Sequence, residues 1–190
     1  MNNSINIKKI ALISILAAMS FILFMFPKFP LLAAFPWLDL DLSDVPALFA
    51  SIVISPVSGL AVAFIKNVIH LAVTSTAMVG ELSNFLINGS FVFAVGLVYK
   101  YLFKNKCFGT IVASVFISII VQLIVAVVVN YYIMIPMYSA FVNFEKLGGA
   151  KHYILAGVIP FNFIKDVLTS AMFCLLYKVL NVKIIRFFSK

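Results

Sequence analysis

Long apolar stretches alternate along this chain with short breaks that contain proline, glycine or lysine. These stretches have the composition and, in most cases, the length of membrane helices, which need about 20 apolar residues to cross a bilayer. The pattern predicts an all-α membrane protein whose single domain covers residues 1–190. Helices are predicted over about residues 9–26, 44–54, 56–74, 81–103, 109–139 and 152–183.

The second apolar stretch is short for a membrane crossing. Roughly 11 residues at 1.5 Å per residue reach about 16 Å, whereas the hydrocarbon core is ~30 Å thick. Basic residues concentrate in cytoplasmic loops, and only six crossings place most of them on the same side as the N-terminal lysines. We therefore predict six transmembrane helices with both termini in the cytoplasm. The inner basic residues would be Lys8, Lys9, Lys100, Lys104, Lys106, Lys178, Lys183, Arg186 and Lys190, and the outer ones Lys28, Lys146 and Lys151.

Residues 27–43 connect the first two predicted helices and contain several prolines. This segment is too apolar and too aromatic, around Trp37, for a solvated linker. Aspartate and leucine alternate at Asp39, Leu40 and Asp41, which is typical of a short extended or hairpin segment. We interpret the segment as an outer loop that lies at the membrane interface and acts as a lid.

Three polar residues fall within the sixth predicted helix, at a depth where lipid offers no hydrogen bonds. Asn162, Lys165 and Asp166 stand at i, i+3 and i+4 and therefore share one helix face. Pro160 cannot donate to the carbonyl of Ala156, so the helix should bend just before this face. A polar patch that only joins helices would fit the pattern, but ionisable residues at this depth usually mark a ligand or ion site.

Further polar residues are predicted near the same depth. Asn130 and Asn162 each lie about ten residues from the outer end of their helix, or roughly 15 Å deep, so the two amides could face one cavity. Lys66 reaches a similar depth on the third helix, and Glu81 and Asn84 lie on one face of the fourth, nearer the outer surface. Apolar walls with a few hydrogen-bonding groups suit a flat molecule with polar edges. The aromatic residues predicted nearby are Phe35, Trp37, Tyr131, Tyr132, Phe161 and Phe163.

Composition supports a membrane protein and excludes several other classes. Of the 190 residues, 64% are hydrophobic and only 11% are charged. A soluble domain needs fewer apolar residues than this to build its core. The net charge of +8 does not indicate nucleic-acid binding, because the basic residues flank apolar spans. The N-terminal apolar run lacks a cleavage pattern, so we expect a retained first helix.

The sequence offers no catalytic chemistry. It has no Ser/His/Asp spacing, metal-ligand cluster or glycine-rich phosphate loop, so we predict no enzyme, no metal site and no cofactor. Cys107 and Cys174 have no metal-ligand spacing and imply no disulfide. His70 and His152 are isolated, and we interpret both as interface residues. A membrane protein of this kind would be a binding subunit that depends on a partner for energy.

Five local strings resemble the riboflavin-specific S component of energy-coupling-factor (ECF) vitamin transporters. They occur in order over nearly the whole chain, and together they are fairly specific. The strings are Asp-Leu-Ser-Asp-Val-Pro-Ala at 41–47, Ile-Lys-Asn at 65–67 with His70 and Leu71, Gly-Glu-Leu-Ser-Asn-Phe at 80–85, Asn-Tyr-Tyr at 130–132 with Pro136, and Pro-Phe-Asn-Phe-Ile-Lys at 160–165.

The resemblance implies a six-helix protein of the bacterial plasma membrane that binds riboflavin from outside. Its partners would be a transmembrane coupling subunit, two ATP-binding-cassette ATPases and membrane lipid. Ala11, Ser14 and Ala18 have small-xxx-small spacing on the first helix, and the resemblance implies that this face contacts the coupling subunit. Packing inside the same molecule is the alternative role for these three residues.

The resemblance also assigns chemistry to the polar residues, with riboflavin as the transported ligand. The amides of Asn130 and Asn162 can donate to and accept from the edge of the flavin ring, and Lys165 can donate to a carbonyl or hydroxyl. Alternatives are an S component for thiamine or folate, or a stand-alone channel or structural subunit. The candidate binding residues are Asn130, Asn162, Lys165, Lys66, Asn84, Glu81, Asp41, Ser43 and Tyr131.

Overall fold

The computed structural model describes residues 3–26, 29–74, 78–105, 107–139 and 142–180, with the backbone alone for residues 3–6. Helices make up most of this part of the chain. They are α1 (Asn3–Met25), α2 (Asp44–Val53), α3 (Pro56–His70), α4 (Val79–Leu97), α5 (Phe108–Val129), α6 (Ile135–Tyr138), α7 (Gly149–His152) and α8 (Ile159–Val179).

Counted together with the helical turns that follow or join them, these helices agree with the predicted stretches to within a few residues, except that α1 begins earlier. Short 3₁₀ turns cover Leu71–Val73, after α3, and Glu145–Leu147, before α7. Residues 181–183, at the end of the sixth predicted helix, lie outside the described residues, as do the basic positions 28, 106, 183, 186 and 190 of the charge argument.

In the part of the chain that the structure describes, five helical runs are long and apolar enough to cross a membrane: Ile7–Met25, Pro56–Val73, Val79–Leu102, Phe108–Tyr138 and Gly149–Val179. The helix α2 is apolar but has only ten residues. It lies at the centre of the packing, where Ala47, Leu48 and Ala50 are fully buried. The multi-helix membrane architecture is therefore confirmed, and α2 is a short buried helix within it.

Small residues allow α2, α3 and α4 to pack closely. A Cβ atom at Gly59 of α3 would come within 2.8 Å of both the carbonyl oxygen of Ala47 and a methyl group of Val92. A Cβ atom at Gly96 of α4 would stand 3.0 Å from the backbone of Pro56. In lipid, helices associate largely through such close contact, since no hydrophobic effect drives them together.

Three π-helical turns widen the long helices, at Val98–Leu102, Asn130–Met134 and Tyr153–Val158. The second joins α5 to α6 just before Pro136, and the third joins α7 to α8 just before Pro160. Proline removes a backbone donor, and a π-turn is one of the irregularities that accommodates the loss. The π-turn at Tyr153–Val158 lies just before Pro160, where the sequence predicted a bend.

The segment after α1 forms the predicted hairpin. Strand β1 (Phe29–Pro30) pairs antiparallel with strand β2 (Asp39–Leu40), so that Phe29 lies opposite Leu40. Between the strands, Phe35 is buried and meets Tyr153 edge-on, with ring centroids 5.2 Å apart. The hairpin is therefore packed against the start of the last long helix.

Candidate functional site

A cavity lies between the hairpin, α4 and the two helical runs that contain the π-turns Asn130–Met134 and Tyr153–Val158. The empty space inside its boundary, counted together with open solvent at its mouth, is about 830 Å³. Six of the predicted binding residues line it: Asn130, Asn162, Lys165, Asn84, Glu81 and Asp41. The other lining residues are Phe24, Trp37, Leu38, Asp39, His70, Gly80, Ser83, Ile87, Asn88, Tyr138, Tyr153, Val158 and Phe161.

The two buried amides are each held by their own helix. The side-chain nitrogen of Asn130 donates to the carbonyl of Ala126, and that of Asn162 donates to the carbonyl of Val158, both at 2.8 Å. The amide oxygen of Asn162 accepts a 3.0 Å bond from Gln122, and that of Asn130 accepts a long 3.5 Å bond from the Tyr153 hydroxyl. Each side-chain amide has a second N–H that these bonds do not use, so each can still donate to a ligand.

Charged side chains form a buried network beside the amides. The ammonium of Lys165 lies 2.8 Å from Asp41, and that of Lys66 lies 2.5 Å from Asp44 and 2.6 Å from the hydroxyl of Ser43. The Ser43 hydroxyl and backbone N–H both donate to Asp41. This network joins the loop before α2 to α3 and α8.

Two predicted binding residues belong to this network and lie away from the cavity surface. Lys66 and Ser43 are both fully buried, because Lys66 must neutralise Asp44 and Ser43 must satisfy Asp41. Both stand behind Asp41, and neither is among the residues that line the cavity. Burial alone would raise the pKa of Asp41, but the positive charges of Lys165 and Lys66, with hydrogen bonds from Lys165 and Ser43, lower it to about 2. Asp41 therefore stays ionised at neutral pH.

The α4 side of the cavity carries a second set of paired polar groups. Glu81 lies 2.7 Å from the ring nitrogen Nδ1 of His70, and Asn84 accepts a 3.2 Å bond from Asn67. His70 ends α3, and its buried ring lies with its centroid 4.3 Å from that of Phe24. His152 is exposed.

Aromatic side chains form the wall beneath the hairpin. The indole nitrogen of Trp37 donates to the Tyr153 hydroxyl at 3.3 Å, and the Trp37 ring stacks on Tyr138 with centroids 6.5 Å apart. Tyr131 was expected at the site, but its side chain is 50% exposed and contacts Tyr132 instead. Adjacent residues of a helix point about 100° apart, so the position that buries Asn130 turns Tyr131 outward.

Several lining residues were not predicted as binding residues. Asn88 continues the i, i+3, i+7 spacing of Glu81 and Asn84, so the sequence did contain a signal for it. Tyr138 and Tyr153 had none, because aromatic residues are also common at lipid interfaces. Gln122, which holds Asn162, is a lone amide in an apolar helix, and that isolation was a usable signal.

The predicted partner-binding residues lie on the outside of the bundle. Ala11, Ser14 and Ala18 are exposed on α1, whereas Ala17 and Phe24 of the same helix are buried on the adjacent side. These three residues therefore do not pack inside the described fold. Exposed large apolar side chains surround them on the same helix: Ile7, Ile10, Ile15, Met19 and Ile22.

Comparison with known proteins gives consistent matches. Residues 8–177 match the family model described as "ECF transporter, substrate-specific component". The riboflavin transporter RibU of Staphylococcus aureus (strain TCH60) is 36% identical over 172 residues, which cover 90% of this chain and 89% of that protein. The riboflavin transporter FmnP of Bacillus subtilis (strain 168) is 30% identical over 176 residues, 90% of each chain. A solved S component of a bacterial ECF transporter is 34% identical with a TM-score of 0.78, covering 92% of this chain and 96% of that one.

Proposed function

This chain belongs to the family of ECF transporter substrate-specific components, and we propose that it captures riboflavin from the outer side of the membrane for uptake. The observation that carries this proposal is the cavity in which Asn130, Asn162 and Lys165 meet a wall of aromatic side chains. Relatives of nearly the same length that are named riboflavin transporters support the choice of ligand.

The cavity has the chemistry that riboflavin requires. The edge of the flavin ring presents carbonyl, N–H and carbonyl groups, which the amides of Asn130 and Asn162 can match with donors and acceptors. Trp37, Tyr153 and Phe161 supply flat apolar surface for the ring. Lys165 and Asp41 can donate to and accept from the hydroxyls of the ribityl chain. A rigid ligand that fills a preformed cavity loses little conformational entropy on binding.

We further propose that the hairpin acts as the lid of this cavity. Trp37, Leu38 and Asp39 line the cavity from the hairpin side. The hairpin is tied at one end by the network of Asp41 and Lys165, and at its tip by the contacts of Phe35 and Trp37 with Tyr153. Opening would break the aromatic contacts and leave the ionic anchor in place.

The remaining expectations concern partners and topology. We propose that α2 completes six crossings with both termini in the cytoplasm, in a multi-pass protein of the plasma membrane. The exposed small residues Ala11, Ser14 and Ala18 would bind the transmembrane coupling subunit. Two ATP-binding-cassette ATPases would supply the energy, since we infer that this chain has no ATPase site of its own.

Titration of the detergent-purified protein with riboflavin tests the central proposal. We expect quenching of flavin fluorescence and a shifted visible flavin spectrum at micromolar protein without ATP. Thiamine and folate in excess should not restore the free-flavin fluorescence, because neither presents the same ring edge. Absence of quenching, or displacement by thiamine or folate, would reject riboflavin as the ligand.

A further inference from the structure

A second group of buried polar atoms lies between α5 and α8, outside the cavity. Within the described part of the chain, four side-chain oxygens there have no hydrogen-bond partner: Ser118 Oγ, Gln122 Oε1, Asp166 Oδ2 and Thr169 Oγ1. All four residues are at most 2% exposed. We call this group the α5–α8 seam. Buried polar atoms normally have partners, so the seam needs an explanation of its own.

Two hydrogen bonds fix how the two helices face each other. Asn130 is hydrogen-bonded to Tyr153, and Gln122 is hydrogen-bonded to Asn162. Residue numbers therefore decrease along α5 in the direction in which they increase along α8. The helices are therefore antiparallel. From the Gln122–Asn162 contact, four residues back along α5 reach Ser118 and four residues forward along α8 reach Asp166.

Both steps are one helical turn, about 5.4 Å, in the same direction away from the cavity. Ser118 and Asp166 therefore lie at the same level on facing helices. Thr169 shares the face of Asp166, because it follows three residues later. The four residues thus lie along one strip of α5 and α8, which extends about 10 Å from the level of Gln122 to that of Thr169.

The carboxyl group of Asp166 takes part in none of the described ion pairs, so either a proton or a bound cation compensates its charge. The described ion pairs match the ammonium groups of Lys66 and Lys165 with the carboxylates of Asp44 and Asp41. Asp166 is a third buried carboxylate beside them. An unpaired negative charge at membrane depth is costly, and such residues usually have a functional counter-ion.

The donor set of the seam consists of oxygens alone. The carboxylate of Asp166 and the amide oxygen of Gln122 can only accept, and the hydroxyls of Ser118 and Thr169 can offer lone pairs. Hard oxygen ligands suit alkali and alkaline-earth cations, whereas the single carboxylate supplies only one negative charge. We propose that the α5–α8 seam binds one monovalent metal cation, sodium.

The cation would also reach the cavity through one side chain. Gln122 donates its amide N–H to Asn162 and presents its amide oxygen to the seam. Cation binding would therefore hold the Asn162 amide in one orientation. This consequence, unlike the site itself, rests on the proposed role of Asn162 in riboflavin binding.

Direct binding of radioactive sodium to the purified full-length protein tests the site. The measurement uses ²²Na⁺ in detergent solution, with choline chloride to keep the ionic strength constant and without flavin. We expect saturable binding close to one ion per chain, which unlabelled sodium displaces and choline does not. Asp166→Asn should abolish it. Thr169→Val, which keeps the side-chain shape, should weaken it at least tenfold.

Glu145→Gln is the matched control, because it removes an exposed carboxylate far from the seam in sequence. This variant should bind sodium as the unaltered chain does, and all variants should elute and melt as folded protein. Absence of saturable binding, or equal binding by Thr169→Val and the unaltered chain, would overturn the proposal. The buried oxygens of the seam would then be satisfied by water or by a proton on Asp166. Riboflavin titration in choline chloride on the same preparations is a separate result, so failure of either proposal can be recognised alone.

Discussion

The first helix and the other long helices are similarly apolar but are buried to very different extents. Mean hydropathy in the most apolar window is 2.1 for α1 and between 1.4 and 2.9 for the others. Only 17% of that window is buried in α1, against 39–44% in the other four. Hydropathy therefore identifies a membrane helix without saying what covers it. The first helix therefore offers a large exposed surface, although Phe24 near its end lines the cavity.

The largest effect on the cavity side is expected from Lys66→Met. This change leaves the carboxylate of Asp44 with only the 3.9 Å contact to Lys165, and breaking a buried ion pair typically costs about 3–5 kcal/mol. The purified variant should unfold at much lower denaturant concentration, and its riboflavin binding should fall with its folded fraction.

Two further variants sharpen this result. Adding Asp44→Asn should recover part of the lost stability, because the stranded charge is removed. Lys151→Met, at an exposed position, should have no effect. Stability equal to that of the unaltered chain in Lys66→Met would show that the buried network is not a structural anchor.

The next largest effect is expected from Asn162→Leu or Asn130→Leu. Each change leaves a buried ligand group without its partner, which costs about 1–3 kcal/mol. The riboflavin affinity of the folded protein should fall by about 5- to 150-fold. The melting temperature should also fall, most in Asn162→Leu, which leaves the buried N–H of Gln122 without its acceptor. Asn143→Leu, in the exposed loop before α7, is the control. Unaltered affinity in both cavity variants would mean that the flavin ring does not reach these amides.

A smaller effect is expected from Trp37→Phe, which keeps an aromatic ring and removes the bond to Tyr153. One neutral hydrogen bond contributes about 0.5–1.5 kcal/mol, so riboflavin release should accelerate by about 2- to 10-fold. Stopped-flow dilution of the flavin complex measures this rate. A second variant, which lacks residues 31–35, should also release riboflavin faster. If both variants release riboflavin at the rate of the unaltered chain, the proposed lid role of the hairpin is contradicted.

The smallest effect on binding is expected from Ala18→Trp and Ser14→Trp on α1. Both side chains are exposed, so the larger residue should leave riboflavin affinity within twofold of its original value. Co-purification with the coupling subunit and uptake should both be lost, because a bulky residue keeps two membrane helices apart. Phe116→Trp, at an exposed position on α5, should preserve all three properties. Joint loss of binding and co-purification would instead show that this face supports the fold.

The sequence was sufficient to predict the features that depend on short local segments of the chain. Helix ends, the hairpin around Asp39 and the irregular turn before Pro160 follow from local backbone chemistry, and they were predicted closely. The cavity amides were also predictable, because Asn130 and Asn162 are rare polar groups at matching depths in apolar helices.

The features that were missed depend on how the helices rotate against one another. In a soluble protein the polar face of a helix points to water, but here both the core side and the lipid side are apolar. The sequence therefore could not show that Asn130 faces inward while Tyr131 faces outward. Nor could it show that Lys66 pairs with Asp44 across two helices, which removes this lysine from the cavity surface.

The π-turn at Tyr153–Val158 has a geometric consequence for the cavity. One extra residue within a helix shifts the angular phase of everything before it by about 100° relative to everything after it. In a regular α-helix, Tyr153 would be turned away from the side that carries Asn162 and Lys165. The wider turn brings the phenol of Tyr153 onto the same side of the helix as Asn162 and Lys165. One continuous helical run therefore lines the cavity at two different depths.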